Sequence, residues 1–319
     1  MWWLSTIAMA APWVVSGELG GEFNRDPHGI VNVSATSGDW TAALITDTVD
    51  LRYAPSWDGG RAWAAARVAT FAAGMVIGPW EDGQLRPERA MNSAYGGLEA
   101  GAVRYAAHGL YSGAQGHVRW HDFYGGPNPT LPPGRWHVQA QGITGWWRPF
   151  LHAWGVVGID LQRSADATVR SASPHARGQF TVRPEWTLAP LLEGRAGTGW
   201  NQDIVTWTRL GGLNPYVVPL AGAAWAEFWV QSYGAARLGG VVQTEALDVA
   251  AFVDVAAFQG PQGNGDAVGL GVAPRWRIGR VTVDLAVGGA PRIVGLPGRV
   301  PVSVYTLVAW RGGGGRPGP

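Results

Sequence analysis

The chain has 319 residues and a net charge of +1, with 15% charged and 46% hydrophobic residues. That charge is too small to point to nucleic acid or acidic substrates as partners. A soluble globular chain carries about 25% charge, and a helical membrane protein shows apolar runs of about 20 residues; this sequence has neither.

The 48 Gly, 19 Trp and absence of Cys fit a different solvent. In a transmembrane β-barrel, lipid-facing and lumen-facing residues alternate, so each segment averages to near-neutral hydropathy. Trp gathers where membrane meets water, and every strand crosses two such girdles. The composition therefore predicts an all-β transmembrane antiparallel β-barrel of a Gram-negative outer membrane. We count about 14 strands, with 12 and 16 as the alternatives.

In chain order, residues 1–11 read as a signal peptide or clipped leader. Trp2 to Trp13 is apolar, with a small-residue site at Ala8-Met9-Ala10-Ala11, although no basic stretch precedes it. A first apolar segment is the alternative. Residues 12–310 read as a single barrel domain, and the Gly- and Pro-rich residues 311–319 as a disordered tail.

Strand periodicity carries the barrel. Between Ile45 and Tyr53, Ile45, Val49, Leu51 and Tyr53 share one face, and Thr48, Asp50 and Arg52 the other. Between Leu247 and Phe258, valines oppose Asp248 and Asp254. Val281, Val283, Leu285 and Val287 oppose Asp284, and Val302, Val304, Thr306, Val308 and Trp310 form the outward row of the last strand, predicted to close on Val14 to Phe23. Gly125 to Gly134 and Ser164 to Arg177 read as loops.

Lumen-facing candidates are Arg52, Asp248, Asp254 and Asp284, with Arg67 and Arg104 as further arginines that would set a transverse field in an open pore. His117, Arg119 and His121 alternate on one strand face and form a candidate rim site. Hydrolysis there requires a nucleophile and an orienting group beside the histidine, and the sequence places no serine with them. His117 and His121 are about 13 Å apart on a strand at roughly 3.3 Å per residue, too far to share a metal ion. No metal, no cofactor and no catalytic residue is expected.

Three pieces of the last third resemble the barrel region of the BamA/TamA-type outer-membrane assembly family, the bacterial surface antigens. They are Leu210-Gly211-Gly212-Leu213-Asn214-Pro215-Tyr216, Phe252-Val253-Asp254-Val255, and Val268 to Arg275 followed by Val283-Asp284-Leu285-Ala286. The resemblance implies that Asp254 faces the lumen and meets the segment Leu213 to Pro219. The family's arginine is missing at Asn214-Pro215, so that contact is expected to be a neutral hydrogen bond, and Asp254→Ala to cost little.

The function expected is an integral outer-membrane protein with porin-like passage or a structural membrane role. An assembly or secretion barrel lacking periplasmic repeats is one alternative, and a lipid-modifying hydrolase another. Expected partners are outer-membrane lipid, the barrel assembly machinery during biogenesis, and small solutes.

Overall fold

The computed structural model describes residues 13–23, 28–46, 48–69, 80–81, 84–85, 92–124, 131–203, 205–213, 218–223, 227–261, 263–293 and 301–311. The leader at 1–11, the tail beyond Arg311, most of the loop at 125–134, and Asn214, Pro215 and Tyr216 lie outside these residues.

Sixteen antiparallel strands close into one barrel. They are β1 (Val14–Phe23), β2 (His28–Ser37), β3 (Trp40–Ile45), β4 (Thr48–Tyr53), β5 (Gly60–Ala69), β6 (Asn92–Tyr105), β7 (Leu110–Tyr124) and β8 (Arg135–Arg148). Then follow β9 (Leu151–Ser164), β10 (Arg170–Val182), β11 (Leu188–Gly199), β12 (Ser232–Gln243), β13 (Leu247–Gly260), β14 (Gly263–Ile278), β15 (Val281–Ile293) and β16 (Val302–Arg311). Each pairs with its sequence neighbour, and β1 pairs with β16 from Ser16↔Arg311 to Phe23↔Val304. Closure removes the free sheet edge, which lipid has no means of satisfying.

The expected count of 14 is corrected to 16. Two stretches show why it fell short. Ile45 to Tyr53 is not one segment: Ile45 pairs with Thr48 across a tight turn at Thr46, whose φ is 54°, and β3 and β4 are separate six-residue strands. Strands this short carry too few alternations to be counted singly. Ser164 to Arg177 is not a loop either, because β10 begins at Arg170 after a hairpin. Its run of Ser, Ala, His and Arg imitates loop composition while forming a ladder.

The outward rows are apolar and bare. Leu19, Val49, Leu98, Val157, Leu188 and Leu270 are among many large side chains exposed there. A soluble monomer rarely exposes an apolar surface of that extent, whereas a barrel in lipid requires it. The lumenal rows carry the buried Asp50, His117, His137, Asp160, His175 and Asp254.

The barrel's two rims differ. At one, the connections include residues 70–91, 125–134 and 200–231; at the other they are short, as at 38–39, 149–150 and 279–280. The connection 200–231 does not stay at the rim. Its described residues 205–213, 218–223 and 227–230 fold back into the lumen, where Leu210, Val218, Leu220, Ala223, Phe228 and Val230 are buried against Ala256 of β13, Ala267 of β14 and Ala290 of β15. Its Leu213 and Ala221 join Ile30, Leu191, Val241, Phe252 and Leu307 in a second cluster. The apolar core of this protein is thus the contact between a barrel wall and a segment of its own chain.

Candidate functional site

The lumenal segment 200–231 is fastened by polar contacts on several strands. At β1, the buried Glu22 accepts a hydrogen bond from the Leu213 amide, 2.9 Å. Gly212 precedes it at φ 90°, with space for a Cβ only 2.7 Å from Glu22 Oε2. At β13, Asp254 Oδ2 accepts from the Ala221 amide at 2.9 Å. At β16, Ser303 Oγ donates to the Ala223 carbonyl at 3.0 Å.

Across the lumen, Arg135 Nη1 lies 2.6 Å from Asp203 Oδ2, and Gln162 Nε2 donates to Asp203 Oδ1 at 2.8 Å. Ser173 donates to the Asn201 carbonyl, and Arg177 to that of Thr206. Buried amides and carboxylates left unpaired cost about 1–3 kcal/mol each. Withdrawing the segment therefore means breaking many such contacts together.

Between this segment and the wall β6–β10 lies a polar cavity of about 260 Å³, lined by Glu99, His117, Arg119, His137, Asp160 and Trp207 among others. Its wall is a belt of paired side chains running across adjacent strands. Arg67 donates to Asp50 and, at 2.9 Å, to Glu99; Arg119 reaches the same Glu99 carboxylate at 3.3 Å.

The belt continues through histidines. His117 Nε2 is 3.2 Å from His137 Nδ1, and His137 Nε2 is 2.8 Å from Asp160 Oδ1. The other Asp160 oxygen lies 2.9 Å from His175 Nδ1, and Gln139 donates to Oδ1 at 2.8 Å. One buried carboxylate thus organises three neighbours from β8 and β10.

The structure places Arg52, Asp248, Asp254 and Asp284 on lumenal rows. Arg52 is 3.8 Å from Asp50 and 3.9 Å from Glu99. Asp248 pairs with Arg183 at 2.8 Å and with Arg277, and Asp284 pairs with Arg275. Arg104 stands on the exposed outward row of β6 and does not line the lumen. His117, Arg119 and His121 share the lumenal row of β7, with His117 at mid-strand and deep inside the barrel.

Asp254 has a partner that the sequence reading missed. Arg237 on β12 grips it with Nε and Nη2, so the contact is charged and bidentate, and the expected neutral bond is corrected. Arg237 sits on the lumenal row of Tyr233, Ala235 and Val241, and the register sets it opposite Asp254. The rows of β12 and β13 contained both residues; only their relative register was unreadable. Glu22, His137, Asp160 and His175 were missed for the same reason.

No family model matches this chain, and no curated protein does. Solved structures share its fold. BamA from Haemophilus ducreyi lacking POTRA domains 1–3 aligns at a TM-score of 0.64 with 9% identity, over 93% of this chain and 70% of that one. CdiB from Escherichia coli gives 0.64 with 10% identity, over 94% and 63%. CdiB from Acinetobacter baumannii gives 0.60 with 9% identity, over 93% and 60%. The fold is that of an outer-membrane β-barrel. The barrel spans about 60 to 70% of the length of these three relatives in fold.

Proposed function

We propose that this is an integral outer-membrane barrel, closed at rest by its own segment 200–231, that assembles or secretes polypeptide. The observation that carries this reading is the fastening of the lumenal segment from β1 through Glu22, from β13 through Asp254 and from β16 through Ser303. A passive pore needs an open path, and the apolar packing of the lumenal segment against β13, β14 and β15 supports a closed one. The resemblance of Leu210 to Trp310 to the assembly family and the shared fold with BamA and CdiB support the polypeptide reading.

A porin-like barrel is the second reading, favoured by the polar cavity beside the segment. Planar bilayer recording separates the two. The wild-type barrel is expected to be nearly silent, and a variant with residues 203–228 replaced by a short Gly-Ser linker to pass steady current. Equal steady currents from both would overturn the closed state and return the protein to passive transport.

A further inference from the structure

On the outward side of this barrel, two arginines stand directly opposite each other on adjacent strands. Reading across β7 to β10 along the ladder, Trp120 stands opposite Trp136, Trp136 opposite Arg163, and Arg163 opposite Arg170. All four lie on outward positions, and both arginines are exposed. They sit at strand ends next to the long-connection rim: Arg163 is the penultimate residue of β9, and Arg170 the first of β10.

Like charges directly opposite on adjacent strands destabilise a sheet. Among the described residues, neither arginine forms an ion pair. The carboxylate between them in sequence, Asp166, is engaged within its own hairpin. Ser164 Oγ donates to it at 2.5 Å, and Thr168 Oγ1 at 2.8 Å. These bonds, Ser164 first, hold its carboxyl below the usual carboxylate range. Asp122, the outward carboxylate of β7, stands two strands from Arg163 and accepts from the Phe123 amide.

The hairpin is rigid for its size. The Val169 amide donates to Ser164 Oγ, and the Ser164 amide to the Val169 carbonyl. The two arginines therefore stand opposite each other at the base of a hydrogen-bonded hairpin, and among the described residues neither is ion-paired to its carboxylate. Beside them is an indole pair, with Trp120 and Trp136 meeting edge-on at 5.4 Å between centroids. Tryptophan at a rim marks the depth of lipid headgroups. Guanidinium binds phosphate through paired N–H donors.

We infer that Arg163 and Arg170, flanked by Trp120 and Trp136, bind the phosphorylated headgroup of an outer-leaflet glycolipid. The two guanidiniums take the phosphates, and the indoles rest against the sugar and the upper acyl chains. The inference rests on the reading of the barrel as membrane-spanning, with its long connections on the outer side, as in bacterial barrels.

Native mass spectrometry of the detergent-purified barrel tests it, with diphosphoryl lipid A, monophosphoryl lipid A and inorganic phosphate as separate probes. Diphosphoryl lipid A is expected to bind, monophosphoryl lipid A more weakly, and inorganic phosphate not below millimolar concentration. The double variant Arg163→Gln/Arg170→Gln should lose about tenfold or more in affinity, from two cationic contacts at an anionic surface. Arg104→Gln, on an outward row at the opposite rim, should lose little. Unchanged binding by the double variant overturns the site, as does an equal loss in Arg104→Gln or occupation by inorganic phosphate alone. Heat-modifiable gel migration, read on every variant, reports separately whether the barrel itself is intact.

Discussion

Arg237 and Asp254 face each other on adjacent strands and join through two hydrogen bonds, Nε to Oδ1 at 2.7 Å and Nη2 to Oδ2 at 2.9 Å. Asp254 also accepts the Ala221 amide of the lumenal segment, so one carboxylate ties wall to wall and wall to segment. The Arg237 guanidinium lies 3.9 Å over the Phe252 ring as well. Removing one partner of a buried ion pair costs about 3–5 kcal/mol, because it strands the other charge. Asp254→Ala should therefore lower barrel stability by about that amount, read as a fall in the temperature at which the folded gel band disappears. Asp254→Leu with Arg237→Met, which removes both charges, should recover much of it. A loss below about 1 kcal/mol in Asp254→Ala would show that the pair contributes nothing net.

This pair also shows what the sequence reading reached. Alternation alone places Asp254, Asp248 and Asp284 on one face and their valine neighbours on the other, since a strand repeats every two residues. The closing pair of β16 with Val14 to Phe23 follows from position in the chain. Alternation says nothing about which lumenal residue of one strand meets which of the next, because register is set by turns and packing across the sheet. Arg237, and the link from His137 through Asp160 to His175, depend wholly on register. The path of the segment after Gly199 was unreadable for another reason: its glycines, prolines and tryptophans resemble a surface loop, and only the barrel around it supplies the surface that buries Leu210, Leu220, Phe228 and Trp229.

Gly212 is expected to be intolerant of a side chain. Its φ of 90° disfavours any L-residue, and a Cβ would meet the Glu22 carboxylate. Gly212→Ala should loosen the Leu213–Glu22 contact without unfolding the barrel. Limited proteolysis should then cut within 200–231 faster than in wild type, and bilayer recordings should show brief openings. Glu22→Gln, which keeps an acceptor for the Leu213 amide, should give a weaker form of the same behaviour. Wild-type protease resistance in Gly212→Ala would show that this end of the segment is not under restraint.

The β1–β16 seam supplies a third prediction. A Cβ at Gly20 would collide with the Thr306 carbonyl and the Leu307 backbone, which have no freedom to move within a paired strand. Gly20→Val should therefore impair closure and leave most of the protein without a heat-modifiable band. Deleting residues 312–319 should leave that band unchanged, because the register from Phe23↔Val304 to Ser16↔Arg311 already closes the barrel. A deletion that abolished folding would mean that the tail takes part in closure.

Asp160 is the test of the polar belt. It is 1% exposed and receives His137, His175 and Gln139 from two different strands. Asp160→Ala leaves those three groups facing a void, each a buried polar group deprived of its partner, at about 1–3 kcal/mol apiece before relaxation. Water entering from the adjoining cavity offsets part of that, so a loss of about 2–4 kcal/mol is expected. Asp160→Asn keeps the shape and one acceptor oxygen, and its NH₂ confronts a histidine nitrogen that can accept only in the matching tautomer. It should fall between wild type and Asp160→Ala. The belt touches the lumenal segment through Arg177, which donates to the Thr206 carbonyl, and through Trp207 at the cavity wall. If the belt braces the segment, Asp160→Ala should raise both the open probability in bilayers and proteolysis near Thr206, and Gln139→Ala should do so less. Thermal destabilisation with silent bilayers would show instead that Asp160 holds β8, β9 and β10 together and leaves the gate to the contacts on β1 and β13.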